Sequence, residues 1–267
     1  MKSKEPMKLN LYQIDAFTNK VFGGNPAAVI PLTHWLEDEL LQQIATENNL
    51  SETAFFVQHK NEFQLRWFTP VAEVNLCGHA TLAASFVIFE ELNFNEKTIC
   101  FSTKSGLLEV QKNNDEYELN FPVDEIKETG ISNYLELFDV EPIEACKGKE
   151  DILLVFKNEE EVRKLKPNLS KIATSKSRGV IATSVGNEVD FVSRFFTPQL
   201  GINEDPVTGS AHTTLVPFWA KKLNQLQFTA KQISKRGGDL KCRLQGDRVF
   251  IAGQAVCFMK GEIQKLN

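Results

Sequence analysis

The 267-residue chain has no uninterrupted apolar run of membrane-spanning length, so no membrane-spanning helix is expected. Its five cysteines, Cys77, Cys100, Cys146, Cys242 and Cys257, are scattered, odd in number and without Cys-x-x-Cys spacing. That speaks against a disulfide framework and against a zinc site. Walker-type phosphate loops, Rossmann glycine fingerprints and clustered metal ligands are also missing. ATP, NAD and metal are therefore not expected, and no cofactor is assigned. A net charge of −5 without any Lys/Arg stripe gives no reason to expect nucleic acid or an anionic membrane surface as partner. The one dense basic stretch, Lys231 to Lys241, carries turn residues and reads as a solvated hairpin. The N-terminal Met1-Lys2-Ser3-Lys4-Glu5-Pro6 lacks the apolar core of a signal peptide. With the unpaired cysteines, it points to the cytoplasm.

What is present is an ordinary globular composition, 42% hydrophobic and 24% charged, in a chain long enough for two domains. One phrase occurs twice. Arg66-Trp67-Phe68-Thr69-Pro70 is followed by Cys77-Gly78-His79-Ala80-Thr81 and an apolar stretch. Arg194-Phe195-Phe196-Thr197-Pro198 is followed by Asp205-Pro206-Val207-Thr208-Gly209-Ser210-Ala211 and another apolar stretch. A strand, a loop and a glycine opening a buried helix thus recur once in each half, which suggests two domains of one design facing a shared cleft.

The periodicities agree. Leu9 to Phe17, Ala27 to Ile30, Leu50 to Val57 and Phe63 to Phe68 read as strands. Leu36 to Glu47 has one apolar helical face and a stop at Asn48-Asn49. The segment from His79 to Leu92 is apolar almost all round, as a helix wrapped by a sheet must be. In the second half, Ser210 to Leu223 is the matching helix, with Pro217 marking a kink or a late start. The polar Pro122-Val123-Asp124-Glu125 is the expected boundary between residues 1–124 and 125–267. The terminal strand near 257–267 is free to return to the first domain. The fold class is α+β: two pseudo-symmetric domains, each a curled, barrel-like mixed sheet around a central apolar helix.

Several residues carry chemistry. The first N–H groups of a helix lack internal acceptors, and Gly78 and Gly209 let a ligand approach them closely. Two such starts aimed into one cleft would bind a carboxylate, although each alone reads more readily as a simple cap. Glu52 stands where a loop meets the apolar strand Ala54-Phe55-Phe56-Val57. Such a carboxylate suits proton transfer, or is merely solvated. His79 opens the first helix, whose dipole should keep the ring neutral. Asp205 precedes Pro206 as an acid or a turn former, and Ser210 is a cap or a carboxylate ligand. His34 and His59 sit in surface-like contexts, and His212 lies one turn into the second helix.

Asp15-Ala16-Phe17, Gly24-Asn25-Pro26-Ala27, Asn49-Leu50-Ser51-Glu52-Thr53, Arg66-Trp67-Phe68-Thr69-Pro70, Gly78-His79-Ala80-Thr81 and Asp205 through Ala211 together resemble the phenazine-biosynthesis PhzF-like family. The blocks follow the family's order and span nearly the whole chain. The resemblance implies a diaminopimelate-epimerase-like fold and a cofactor-independent isomerase, a homodimer acting on a small carboxylic acid. It implies Glu52, His79 and Asp205 as catalytic residues, and Asn25, Cys77, Gly78, Gly209 and Ser210 as substrate-binding residues. Cys77 departs from the phenazine-pathway member, which has no thiol there. The chain is similar instead to a subgroup with Cys-Gly-His-Ala-Thr. Two alternatives remain: a two-thiol epimerase using Cys77, and a non-catalytic binding protein.

Overall fold

A computed structural model describes residues 7–60 and 62–266. In the first half, Asn25–Leu32 runs antiparallel to Met7–Ala16 and parallel to Glu52–His59. The latter is antiparallel to Glu62–Phe68, which lies parallel to Thr98–Thr103. Two antiparallel steps through Gly106–Asn113 to Glu116–Pro122 complete the sheet. The second half repeats every step. Asp151–Val155 is antiparallel to Glu144–Lys147 and parallel to Gly179–Val185; then come Phe191–Thr197, the parallel Gln227–Gln232, Gly238–Gln245 and Arg248–Gly253.

The halves join where their equivalent strands pair, Leu119 opposite Ile251. Each half then sends its next strand across. Lys127–Thr129 pairs with Glu144–Lys147, and Ala255–Leu266 pairs with Met7–Ala16. Among the described residues the sheets curl without closing into a barrel. One large apolar cluster includes Phe17, Ala80 and Ala83 from the first half and Val207, Ala211 and Leu215 from the second.

The first core helix, Gly78–Phe86, has every residue from Gly78 to Ser85 buried, as its all-round apolar sequence demands. Val87–Glu91 continues it as a π-helical turn rather than as the regular helix expected to Leu92. The second core helix is His212–Leu223, with Gly209 to Ala211 forming a turn before it. Pro217 neither breaks nor delays this helix. Proline cannot donate to the carbonyl four residues back, Thr213 O. That carbonyl instead accepts the Asp124 backbone N–H at 3.1 Å, and Thr214 Oγ1 donates to Asp124 Oδ2. The helix defect is thus the docking point for the segment connecting the halves.

The arginines of the repeated phrase have one shared task. Arg66 Nε and Nη2 donate to the two Glu73 oxygens at 2.8 and 2.9 Å, and its guanidinium lies 5.1 Å from the Phe68 ring. Arg194 donates to Glu204 at 2.7 and 2.9 Å, 4.8 Å from the Phe196 ring. In both copies the acid sits on a short returning strand, Glu73–Val74 or Ile202–Asp205, that delivers the chain to the following helix.

The Lys231–Lys241 stretch is a hairpin but not a solvated one. Gln232 is fully buried, and Arg236 donates to Asp15 Oδ1 and to the carbonyls of Gly23 and Gly24.

Candidate active site

Glu52 is placed by a helix stop. Asp38–Asn48 buries Leu41, Ile44 and Ala45, and Asn49 ends it in the left-handed conformation (φ 49°), its N–H on Ala45 O. The chain reverses and Glu52 begins the next strand with its side chain 13% exposed. His79, on the first turn of the first core helix, is buried, and its Nε2 lies 3.1 Å from Glu52 Oε2. Neither atom has another hydrogen-bond partner among the described residues, and the pair is not well aligned for one.

Behind the ring stands Asn25, delivered by Gly24. That glycine has φ +60°, and any Cβ there would run into Ala16 O. Asn25 is fully buried. Its Nδ2 donates to Asp205 Oδ1 at 2.8 Å and to Val207 O at 2.9 Å, and contacts His79 Nδ1 at 3.0 Å. Cys77 Sγ contacts the same ring nitrogen at 3.5 Å. Asp205 Oδ2 accepts from Thr208 Oγ1, and the loop between them is fixed by Gln232. Gln232 Nε2 donates to Asp205 O, while its Oε1 accepts from Thr208 N. Glu52, His79, Asn25, Cys77 and Asp205 therefore form one contiguous polar cluster, drawn from both halves of the chain.

Electrostatics follow from burial. Removal from water pushes Asp205 up to about 6, against the pull of His79 and with the push of Glu52. Burial, with the Glu52 charge, pushes the Cys77 thiol up to about 11, so it stays protonated at neutral pH despite standing at a helix start. His79 reverses the expectation of a neutral ring. Burial opposes its charge, but with the Glu52 carboxylate beside Nε2 its pKa is held above the usual value.

The remaining residues are placed as follows. Gly78 and Gly209 do permit a close backbone approach, but the approach is of one to the other. A Cβ on Gly78 would stand 3.2 Å from Gly209 Cα and 3.5 Å from Ser210 N. Ser210 does not cap its helix; its Oγ accepts from Arg178 Nη1 at 2.9 Å. His212 lies away from the cluster, buried with Nδ1 on Thr208 O and its pKa lowered to about 4 by burial. Glu52, Cys77 and His79 each bring one possible metal-ligand atom within 4.8 Å of the others. Cys77 meets the Nδ1 edge of the ring and Glu52 the Nε2 edge. Two surface cavities lie elsewhere, one beside Tyr134, Lys147 and Lys171 and one beside Thr18, Glu116 and Asp239.

Residues 14–261 match the family of phenazine biosynthesis-like proteins. The chain belongs to this family. An uncharacterized isomerase of Pseudomonas aeruginosa is 47% identical over 259 residues, covering 97% of this chain and 99% of that one. Another, from Halalkalibacterium halodurans, is 44% identical over 262 residues, covering 96% and 99%. The crystal structure of a PhzF-family phenazine biosynthesis protein from Enterococcus faecalis agrees with a TM-score of 0.92 at 46% identity, over 96% of this chain and 99% of that one. The fold is diaminopimelate-epimerase-like, and the enzyme class is isomerase, the class its curated relatives carry.

The two halves of this phenazine biosynthesis-like protein are alike in frame and unlike in chemistry. Glu52 lies opposite Ala27 in its parallel ladder as Gly179 lies opposite Asp151, and Thr53 pairs with Phe68 as Val180 pairs with Phe196. Glu52 and Gly179 therefore occupy equivalent positions. A side chain at Gly179 would collide with the Phe195 ring, so the second half has no room for an acid there. Likewise Cys77 and His79, flanking Gly78, correspond to Thr208 and Ser210, flanking Gly209. Arg178 and its partner Asp151 were not singled out by the sequence pattern. The only local signal is the arginine immediately before the strand, at the position equivalent to Ser51.

Proposed function

We propose that this isomerase moves a proton between two positions of a small carboxylate-bearing substrate, without a cofactor, using Glu52 as general acid/base. The observation carrying this reading is the approach of Glu52 Oε2 to His79 Nε2 within an otherwise enclosed cluster, with glycine at the equivalent place in the other half. One acid–base group suits removal and return of a proton on one face of a molecule. Two-base inversion needs a second group opposite the first, and the equivalent position offers none. Glu52 as carboxylate takes a proton from a carbon acidified by its neighbours and delivers it to another. His79 steadies Glu52 and lends or accepts charge through Nε2. Asp205 and Asn25 hold the ring from behind. The substrate carboxylate is received at the helix starts around Gly78, Gly209 and Ser210, where backbone N–H groups stabilise developing charge.

The two-thiol alternative has less support. The position equivalent to Cys77 is Thr208, the Cys77 thiol is protonated, and Cys242 is buried with its pKa pushed up. The reading carries with it a homodimer in the cytoplasm and a division of the chain into lobes 1–124 and 125–267.

The test is hydrogen exchange at carbon. Native enzyme incubated in D₂O with a panel of cyclic unsaturated carboxylic acids should introduce deuterium into one or more of them. Glu52→Gln should fold normally and abolish the exchange. Undiminished exchange in that variant removes Glu52 from the mechanism.

A further inference from the structure

Arg178 is held too carefully for a loop residue. Its Nε donates to Asp151 Oδ1 at 3.0 Å and its Nη2 to Asp151 Oδ2, and Asp151 is itself buried. Its guanidinium lies 5.4 Å from the Phe195 ring. Its backbone N–H is on Glu150 O at 2.7 Å, and its carbonyl accepts from Thr197 Oγ1 at 2.7 Å and from Gln199 Nε2. With side chain and backbone fixed, the remaining arm, Nη1, reaches Ser210 Oγ at 2.9 Å.

A serine hydroxyl has one hydrogen to donate and two lone pairs. Arg178 can only donate, so it occupies a lone pair and leaves the Ser210 hydrogen free for another acceptor. Ser210 is the counterpart of His79, and its N–H lies against Gly78 at the meeting of the helix starts. Asp151 neutralises the guanidinium charge, so Arg178 acts through the serine rather than as a free cation. The geometry points to Arg178 as a positioning residue that sets the Ser210 hydroxyl as a donor to the substrate's carboxylate. Acid–base chemistry then belongs to the first half of the chain, and recognition of the carboxylate to the second. This rests on the functional reading above in placing a carboxylate between the halves.

Benzoate and its neutral isostere benzamide serve as probes, with binding followed by amide NMR shifts. Benzoate should shift the Ser210 and Gly78 resonances of the native protein. Arg178→Lys keeps a cation beside Asp151 but loses the planar fork that spans Asp151 and Ser210. It should fold normally and weaken benzoate roughly tenfold, as should Ser210→Ala, with the double variant no weaker than either. Benzamide binding should be the same in all four proteins. No shift at Ser210, native benzoate affinity in Arg178→Lys, additive losses, or an equal loss for benzamide would each overturn the assignment. Glu52→Gln should still bind benzoate, so failure of the proton-transfer reading would appear separately, as carbon exchange surviving in that variant.

Discussion

Gly78 and Gly209 meet backbone to backbone: a Cβ on either would stand 3.2 to 3.4 Å from the Cα of the other. Equivalent residues of the two halves thus touch at the point where both core helices begin. Gly78→Ala should push the halves apart by a few tenths of an ångström and cost about 1–3 kcal/mol. Gly209→Ala meets Phe17 Cζ at 3.5 Å as well and should behave similarly. The double variant should lose less than the sum, because the first substitution already opens the shared contact. Denaturant unfolding checks this, and additive losses would mean the two sites are independent.

Asp205 titrates near 6 because it is buried, above the ordinary carboxyl range. A group whose folded pKa is raised gives stability that is full below its unfolded pKa, near 3.8, and is lost as pH rises through the folded pKa. The native fold therefore carries an increasing penalty from Asp205 between about pH 4 and pH 7. Asp205→Asn, which keeps an oxygen for Asn25, removes that penalty. Its melting temperature relative to native should rise across this window. A difference that stays flat with pH would show that Asp205 does not titrate there.

Pro217 should be nearly neutral. Replacing an interior helix proline by alanine ordinarily gains about 3 kcal/mol. Here the carbonyl it leaves free already accepts from Asp124 N. Pro217→Ala should therefore change stability by less than about 1 kcal/mol, measured by urea unfolding.

The repeated arginines should differ in weight. Beyond its glutamate, the Arg66 guanidinium donates among the described residues to Asp38, whose side chain is 78% exposed, and lies over the Trp35 ring. Arg194 Nη1 also donates to the carbonyls of Val162 and Leu165, at 3.2 and 3.0 Å. These close the end of the helix Glu159–Lys164. Arg194→Ala should cost about 1–2 kcal/mol more than Arg66→Ala. Equal losses would mean those carbonyl contacts add nothing.

Much of this was legible in the sequence because it is locally written. The Thr-Pro strand ends, the glycine-led apolar helices and the left-handed Asn49 each announce themselves within a few residues. The cluster of Glu52, His79 and Asp205 became legible only through several blocks taken together, since a lone glutamate after a helix has many uses. What stayed hidden is long-range or short. Arg178 lies in the polar Ser175-Lys176-Ser177 run, 27 residues from Asp151 and 32 from Ser210. The returning strands of Glu73 and Glu204 span two and four residues, too few to show alternation. The Lys231–Lys241 hairpin looked solvated because composition reveals polarity, not whether a glutamine amide or a guanidinium has found a buried partner. Likewise the expectation of a neutral His79 considered the helix alone and not the carboxylate that a different strand brings beside it.

The exchange of strands between the halves has a consequence for biogenesis. Met7–Ala16 is made early, yet one of its two neighbours is Ala255–Leu266, made about 240 residues later. During synthesis that early edge stays unpaired, a ready template for another nascent chain. Folding of this sheet should therefore finish only after Ala255–Leu266 has been made, and slowly, as pairings so distant in sequence require.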